Sequence, residues 1–145
     1  MPNSTKLLFP PISARIKVED GQKFIWDSSR QKWLVLTPEE WVRRHVVDWL
    51  VSEKGISALS ISQEYPVNIN GLNQRADIVV IDESAKPYLL VECKAPQVPI
   101  DEAVVMQACR YNAVVEARYV MLTNGVKVFC YEYQQGRYRP VRDFR

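Results

Sequence analysis

Two nearly continuous apolar runs, RADIVVID (75–82) and PYLLVECKAP (87–96), limit this chain to few folds. Short apolar runs bounded by turn residues are strands covered on both faces, and the link Asp82-Glu83-Ser84-Ala85-Lys86 suits an antiparallel return. These runs carry Asp77, Glu92 and Lys94. Carboxylates and an ammonium beside buried strands are costly to desolvate unless they pair or hold a metal.

The rest of the chain supplies layers for such strands. Residues 1–14 read as an irregular arm whose Leu7, Leu8 and Phe9 dock on the body, with Pro10 and Pro11 preventing helix. A small hairpin follows over residues 15–26, turning at Asp20-Gly21. Thr37-Pro38-Glu39-Glu40 is a helix start, with a threonine cap, a proline in the first turn and a glutamate three residues after the cap. That helix is expected to reach about Lys54 and stop at Gly55, covering a sheet with Val42, Val46, Trp49 and Leu50, while Arg43, Arg44 and Asp48 fall on other faces. A strand is expected over 58–68, ending at Asn70-Gly71, and a second helix from Ile100 to about Glu116. Strands over 118–123 and 126–133 flank a tight turn at Asn124-Gly125. The order implies an α/β fold with one helix on each face of a central sheet.

Bulk properties exclude more than they assign. The 145 residues, 47% of them hydrophobic, suffice for one domain. With 19 basic and 17 acidic side chains, net charge alone makes no case for nucleic acid. The tail GRYRPVRDFR concentrates Arg137, Arg139, Arg142 and Arg145 around Tyr138 and Phe144; it suits either a phosphate backbone or an edge strand. Cys93, Cys109 and Cys130 lack metal-ligand spacing, so buried thiols in a reducing compartment are expected rather than zinc. No apolar run is long enough to span a membrane, and a cytoplasmic location is expected.

Glu92 and Lys94 are two apart on one strand and share a face, roughly 6.6 Å apart. An antiparallel return brings Asp77 beside them. Two such carboxylates repel unless a cation lies between them, and a hard divalent ion, most simply Mg2+, meets that need. Lys94 would then face phosphate and attacking water. The alternative is a rim salt bridge between Glu92 and Lys94 with Asp77 capping a turn. Glu40 could reach the same metal or act only in the helix cap. Gln107 and Tyr111, four apart on one helical face, could position phosphate or a catalytic side chain, or merely pack. His45 lacks a nucleophilic or metal-ligand partner. The four tryptophans, Trp26, Trp33, Trp41 and Trp49, read as buried area more readily than as base-stacking groups.

The set RAD…VECKAP…QACRY, supported by LTPEEWVR (36–43) and LTNG (122–125), resembles the N-terminal nuclease domain of type I restriction enzyme R subunits, within the PD-(D/E)XK superfamily. Ala76 stands at the position of the motif's proline. The resemblance implies a restriction-endonuclease-like three-layer core, a mixed sheet between helices, over 36–145, with the arm and hairpin of 1–35 preceding it. It implies a magnesium-dependent DNA endonuclease, with Mn2+ as a substitute metal. Asp77 and Glu92 would be metal ligands, Glu40 the helical glutamate near the metal, Lys94 the catalytic lysine, and Gln107 and Tyr111 the Q-x-x-x-Y element. DNA is the implied partner, with a second protein supplying recognition or motor function, or a second copy, as further partners. The rival expectation is a non-catalytic DNA-binding or complex-forming domain that keeps the fold. The sequence has no glycine-rich phosphate loop, so ATP-driven translocation is not expected of this polypeptide.

Overall fold

The two apolar runs lie side by side in the middle of a six-stranded sheet, in a computed structural model that describes residues 6–144. The expectations for residues 1–5 of the arm and for Arg145 fall outside the described residues. A first, three-stranded antiparallel sheet comprises β1 (Ile16–Glu19), β2 (Gln22–Asp27) and β3 (Lys32–Val35). There follow α1 (Pro38–Ser52), a short 3₁₀ turn at Ala58–Ser60, β4 (Ile61–Ile69), β5 (Leu72–Ile81) and β6 (Pro87–Cys93). The chain closes with α2 (Glu102–Val115), β7 (Tyr119–Thr123), β8 (Val128–Gln134) and β9 (Arg137–Val141).

The larger sheet keeps sequence order from β4 to β9 and is antiparallel except for the parallel pair β6 and β7. That pair needs a crossover, which α2 provides. Its ends are closed by local bonds: Asp101 Oδ1 accepts from Val104 N at 3.1 Å, and the Asn112 amide holds Ala117 N and O at 2.8 and 3.1 Å.

Each helix covers its own face. Val42, Val46 and Leu50 of α1 are fully buried with Ile78, Val80, Leu89, Val91 and Met121. Burying each such side chain contributes roughly 1.5–3 kcal/mol. On the other face Ala108, Tyr111 and Val115 of α2 meet Ala76, Val79, Leu90, Val120 and Leu122. This is the three-layer α/β architecture expected, and the burial of both sheet faces is why β5 and β6 lack polar alternation. The arm docks as expected through Leu7 and Phe9, with Phe9 edge-on to Trp49 at 5.3 Å, while Leu8 is exposed. His45 packs within α1, its Nδ1 2.8 Å from Trp41 O.

Several local expectations are corrected. The N-terminal hairpin has a third strand, because Trp33 pairs across from Trp26 and their rings meet edge-on at 5.3 Å. The strand expected from residue 58 starts at Ile61, since the Ser57 hydroxyl caps a 3₁₀ turn first. Of the two expectations for the Arg-rich tail, the edge strand is the one that forms, as β9, whose Arg139 pairs with Glu132. The Asn124-Gly125 turn is a four-residue loop rather than a tight two-residue turn. Asn124 Oδ1 accepts from Val126 N and Lys127 N at 3.0 and 2.9 Å, which holds the loop open by those extra residues.

Gly125 has φ +90, and a Cβ added there would stand 2.7 Å from Leu7 Cδ2 and 3.3 Å from Val42 Cγ2. Gly125→Ala is therefore expected to cost about 1–3 kcal/mol, combining backbone strain with crowding. Urea titration checks this as a lowered midpoint at unchanged slope. Adding Leu7→Ala should not restore the part that comes from φ.

Candidate active site

The site forms where the β5–β6 ladder ends. Backbone pairing runs through Val80↔Leu89, Val79↔Leu90 and Ile78↔Val91, and at the next position two side chains take over. Asp77 Oδ2 accepts from Cys93 N at 2.7 Å, and Glu92 Oε2 accepts from Asp77 N at 2.9 Å. Each carboxylate bonds to the other strand's backbone through one oxygen and keeps the second. On the β4 side, Glu64, which the register would set opposite Asp77, instead adopts φ +55 and pairs with Arg30 and Arg75. A non-glycine residue in that region costs of order 1 kcal/mol or more.

Asp77 and Glu92 both bind protons more tightly than ordinary carboxylates do. Burial is the leading cause for each; for Glu92 the Asp77 charge comes next, and the Glu39 charge adds to both. Opposing this are the amide bonds to each carboxylate and the Lys94 ammonium, together with Arg43 at Asp77. Lys94 lies one residue beyond β6, where its backbone N donates to Thr123 O at 2.9 Å and prolongs the parallel ladder. Cys93 is buried and its thiol is pushed well up by burial, so it is no nucleophile at neutral pH.

Glu40 is buried, and its role differs from the side-chain capping weighed in the sequence. Thr37 Oγ1 accepts from Glu40 N at 3.0 Å, so the cap uses only the backbone of Glu40. Its carboxylate bonds Arg43 through Oε1, while Oε2 is buried without a hydrogen-bond partner, 4.0 Å from Arg30 Nη2. Arg43 in turn reaches Asp77 Oδ1 at 3.6 Å. Helical phase sets Arg43 beside the buried stripe of α1 rather than in it, and its long side chain reaches Glu40 and Asp77 from there. The i, i+3 spacing of Glu40 and Arg43 was the available signal. Arg30 stands at the same spacing from Asp27, which it bonds at 2.5 Å, but its reach to Glu64 and Glu40 is long-range and left no local signal.

From the α2 layer, Tyr111 OH accepts from Gln107 Nε2 at 3.2 Å. The Tyr111 phenol is pushed up first by burial, then by the charges of Glu92 and Asp77, so it lies within reach of the carboxylate pair's field. The structure thus joins Asp77 directly to Glu92, sets Lys94 and Tyr111 within their field, and links Glu40 through Arg43. Among the described residues no three His, Cys, Asp or Glu side chains gather closely enough to hold a metal together. Chemically, the arrangement offers two buried carboxylates that hold protons tightly, and a lysine whose charge opposes that.

Residues 38–144, more than half the chain, match the family model described as Type I restriction enzyme R protein N terminus (HSDR_N). Comparison with curated protein sequences found no match. Among solved structures, a fragment assigned to an HsdR subunit of a type I restriction enzyme from Vibrio vulnificus YJ016 is similar at 22% identity and TM-score 0.56, over 75% of this chain. This chain spans 23% of that one. The type IIG restriction endonuclease BpuSI is similar at 21% identity and TM-score 0.48, over 66% of this chain and 11% of its own. A DUF820 protein from Anabaena variabilis ATCC 29413, assigned as a nuclease, is similar at 13% identity and TM-score 0.46, over 86% and 75% of the two chains. The Vibrio vulnificus likeness supports the restriction-endonuclease-like three-layer fold, and by its family match this chain belongs to the type I restriction enzyme R protein N-terminal family.

Proposed function

We propose that this chain is a Mg2+-dependent DNA endonuclease, with Mn2+ able to replace Mg2+. One observation carries the reading: Asp77 and Glu92 each accept an amide of the other's strand, from Cys93 N and Asp77 N, with their remaining oxygens free of those amides in a buried place. Hard oxygen donors are the chemistry Mg2+ takes, and the unpartnered Glu40 Oε2 adds a buried acceptor nearby. The residues present therefore fit the metal. Asp77 and Glu92 would hold it, with Glu40 completing or tuning the site. A divalent ion there supplies charge neutralisation at phosphate and a lowered water pKa.

The chain's own groups do the rest. Lys94 donates to the charge that builds on phosphate oxygens or orients the attacking water. Tyr111, steadied by Gln107, positions phosphate or the lysine ammonium. Arg43 restrains Asp77 and Glu40 from the helix side. Family membership supports DNA as substrate and a restriction-related setting, with a protein partner supplying recognition or motor function, or a second copy for double-strand cleavage.

A second reading is favoured by Arg43, a fixed cation already placed against Asp77. On this reading the domain binds DNA or a partner without hydrolysis. Salt-sensitive DNA binding with no divalent-dependent cleavage would support it.

Cleavage of supercoiled and linear DNA with Mg2+ or Mn2+ tests the first reading. Asp77→Ala and Lys94→Ala are expected to lose about 100-fold or more in rate. Equal cleavage by the wild type and both variants sinks the site assignment.

Acidity gives a second check. A carboxyl whose pKa is raised by folding favours the folded state below the ordinary carboxylate range, and this advantage is lost as pH rises through the raised value. The metal-free protein should therefore lose stability from acid toward alkaline pH on account of this pair. Glu92→Gln, uncharged throughout, should be more stable than wild type at alkaline pH by about 1–2 kcal/mol, with the gap shrinking toward pH 4. In thermal melts, Mn2+ should stabilise the wild type and leave Glu92→Gln unmoved. A pH-independent gap would contradict shared buried charge.

A further inference from the structure

The three-stranded sheet lies wholly before the residues matched by the family model. One of its faces carries Arg15 and Lys17, Phe24 and Trp26, and Trp33 and Val35, aligned by the registers Lys17↔Phe24, Phe24↔Val35 and Trp26↔Trp33. None of these residues belongs to either hydrophobic cluster of the main body. The three aromatic side chains are half-buried, and Val35 is 46% exposed. The Arg15 guanidinium lies 5.2 Å from the Trp26 ring centroid and 5.6 Å from that of Trp33. The Lys17 ammonium lies 4.6 Å from Trp33 and 5.8 Å from Phe24, with Glu19 paired to it at 3.0 Å.

The other side of this sheet is tied to the site. Arg44 Nη1 donates to Trp26 O at 2.7 Å, and Arg30 bridges Asp27 to Glu64 and approaches Glu40. A chain of ion pairs thus runs from β2 through Arg30, Glu40 and Arg43 to Asp77.

We propose that this aromatic and basic face is a platform for single-stranded DNA. Accessible rings with cations over them match what a single strand presents: bases to stack and phosphates to neutralise. A base takes the ring face, and the displaced Arg15 or Lys17 meets a phosphate. Duplex DNA keeps its base faces stacked inside and cannot use the rings. The choice of a nucleic-acid ligand rests on the nuclease reading; the strandedness rests on this face.

Tryptophan fluorescence during titration with a short oligo(dT), with EDTA present, reads the platform without cleavage. The wild type should be quenched, Trp33→Ala should bind about tenfold more weakly, and Trp33→Phe should recover most of the affinity. The paired change Arg15→Gln with Lys17→Gln leaves the rings in place and should lower the salt dependence of log Kd by about 1.4, about 0.7 per lost phosphate contact. Circular dichroism checks folding, and the Phe and Gln variants decide the matter if Trp33→Ala unfolds. The proposal is overturned if oligo(dT) does not bind, if it binds these variants as it binds the wild type, or if a duplex of equal length depends on Trp33 as strongly. Asp77→Ala separates the two readings. Normal oligo(dT) binding without cleavage by any form of the chain leaves the platform standing and removes the nuclease, whereas cleavage with platform-independent binding does the reverse.

Discussion

Asp77 and Glu92 each accept a hydrogen bond from the strand that carries, or directly follows, the other, and this exchange governs the site end of the sheet. Without it, the first unpaired amides of β5 and β6 would lie buried with no acceptor, at a cost of about 1–3 kcal/mol each. With it, two carboxylates are drawn into a poorly hydrated place where burial raises the proton affinity of both and the Asp77 charge raises that of Glu92 further. Structural need and chemical capacity therefore reside in the same atoms. A neutral amide could serve the first role, but not the second.

Around this exchange the charges are layered by distance from the sheet. Arg43 stands over Asp77 and binds Glu40, and Arg30 extends the series to Asp27 and Glu64. Burial works against an ionised Glu64, yet Arg43, Arg30 and Arg75 keep it below the usual carboxylate range. Buried ion pairs of this kind add little net stability but are costly to break singly, so they fix geometry more than they strengthen the fold. They also fasten the small sheet to α1, through Arg44 to the Trp26 carbonyl and Arg30 toward Glu40.

The parts of the fold legible in sequence are those written locally. Burial on both faces leaves continuous apolar runs, so β5 and β6 could be read directly, and the hairpin between them put Asp77 near Glu92. Thr37 and Pro38 mark the start of α1 because capping involves only near neighbours. Strand β3 was hidden because KWLV is short and is held by the cross-strand Trp26–Trp33 contact, which no single segment reveals. The amide exchange was equally hidden: sequence spacing can bring two carboxylates close but says nothing of where the backbone ladder stops. Helical phase set Arg43 beside the core stripe but could not say how far its long side chain reaches, which is to Glu40 and Asp77.

The lone parallel pairing, β6 with β7, separates the site into pieces assembled over different lengths of chain. Asp77 and Glu92 meet by closing 15 residues, within one hairpin. The backbone of Lys94 is held by Thr123, on the far side of the α2 crossover, and Tyr111 rides on that crossover. The extra closure entropy is modest, about 0.6 kcal/mol per doubling of length, but it is recovered only when α2 docks. A local opening that lifts α2 would leave the acidic pair and the β6–β7 bond to Lys94 intact while carrying the Tyr111 phenol away. The hairpin alone carries the acidic pair, and the crossover adds the phenol to it, so the two parts of the site differ in how much of the fold each needs.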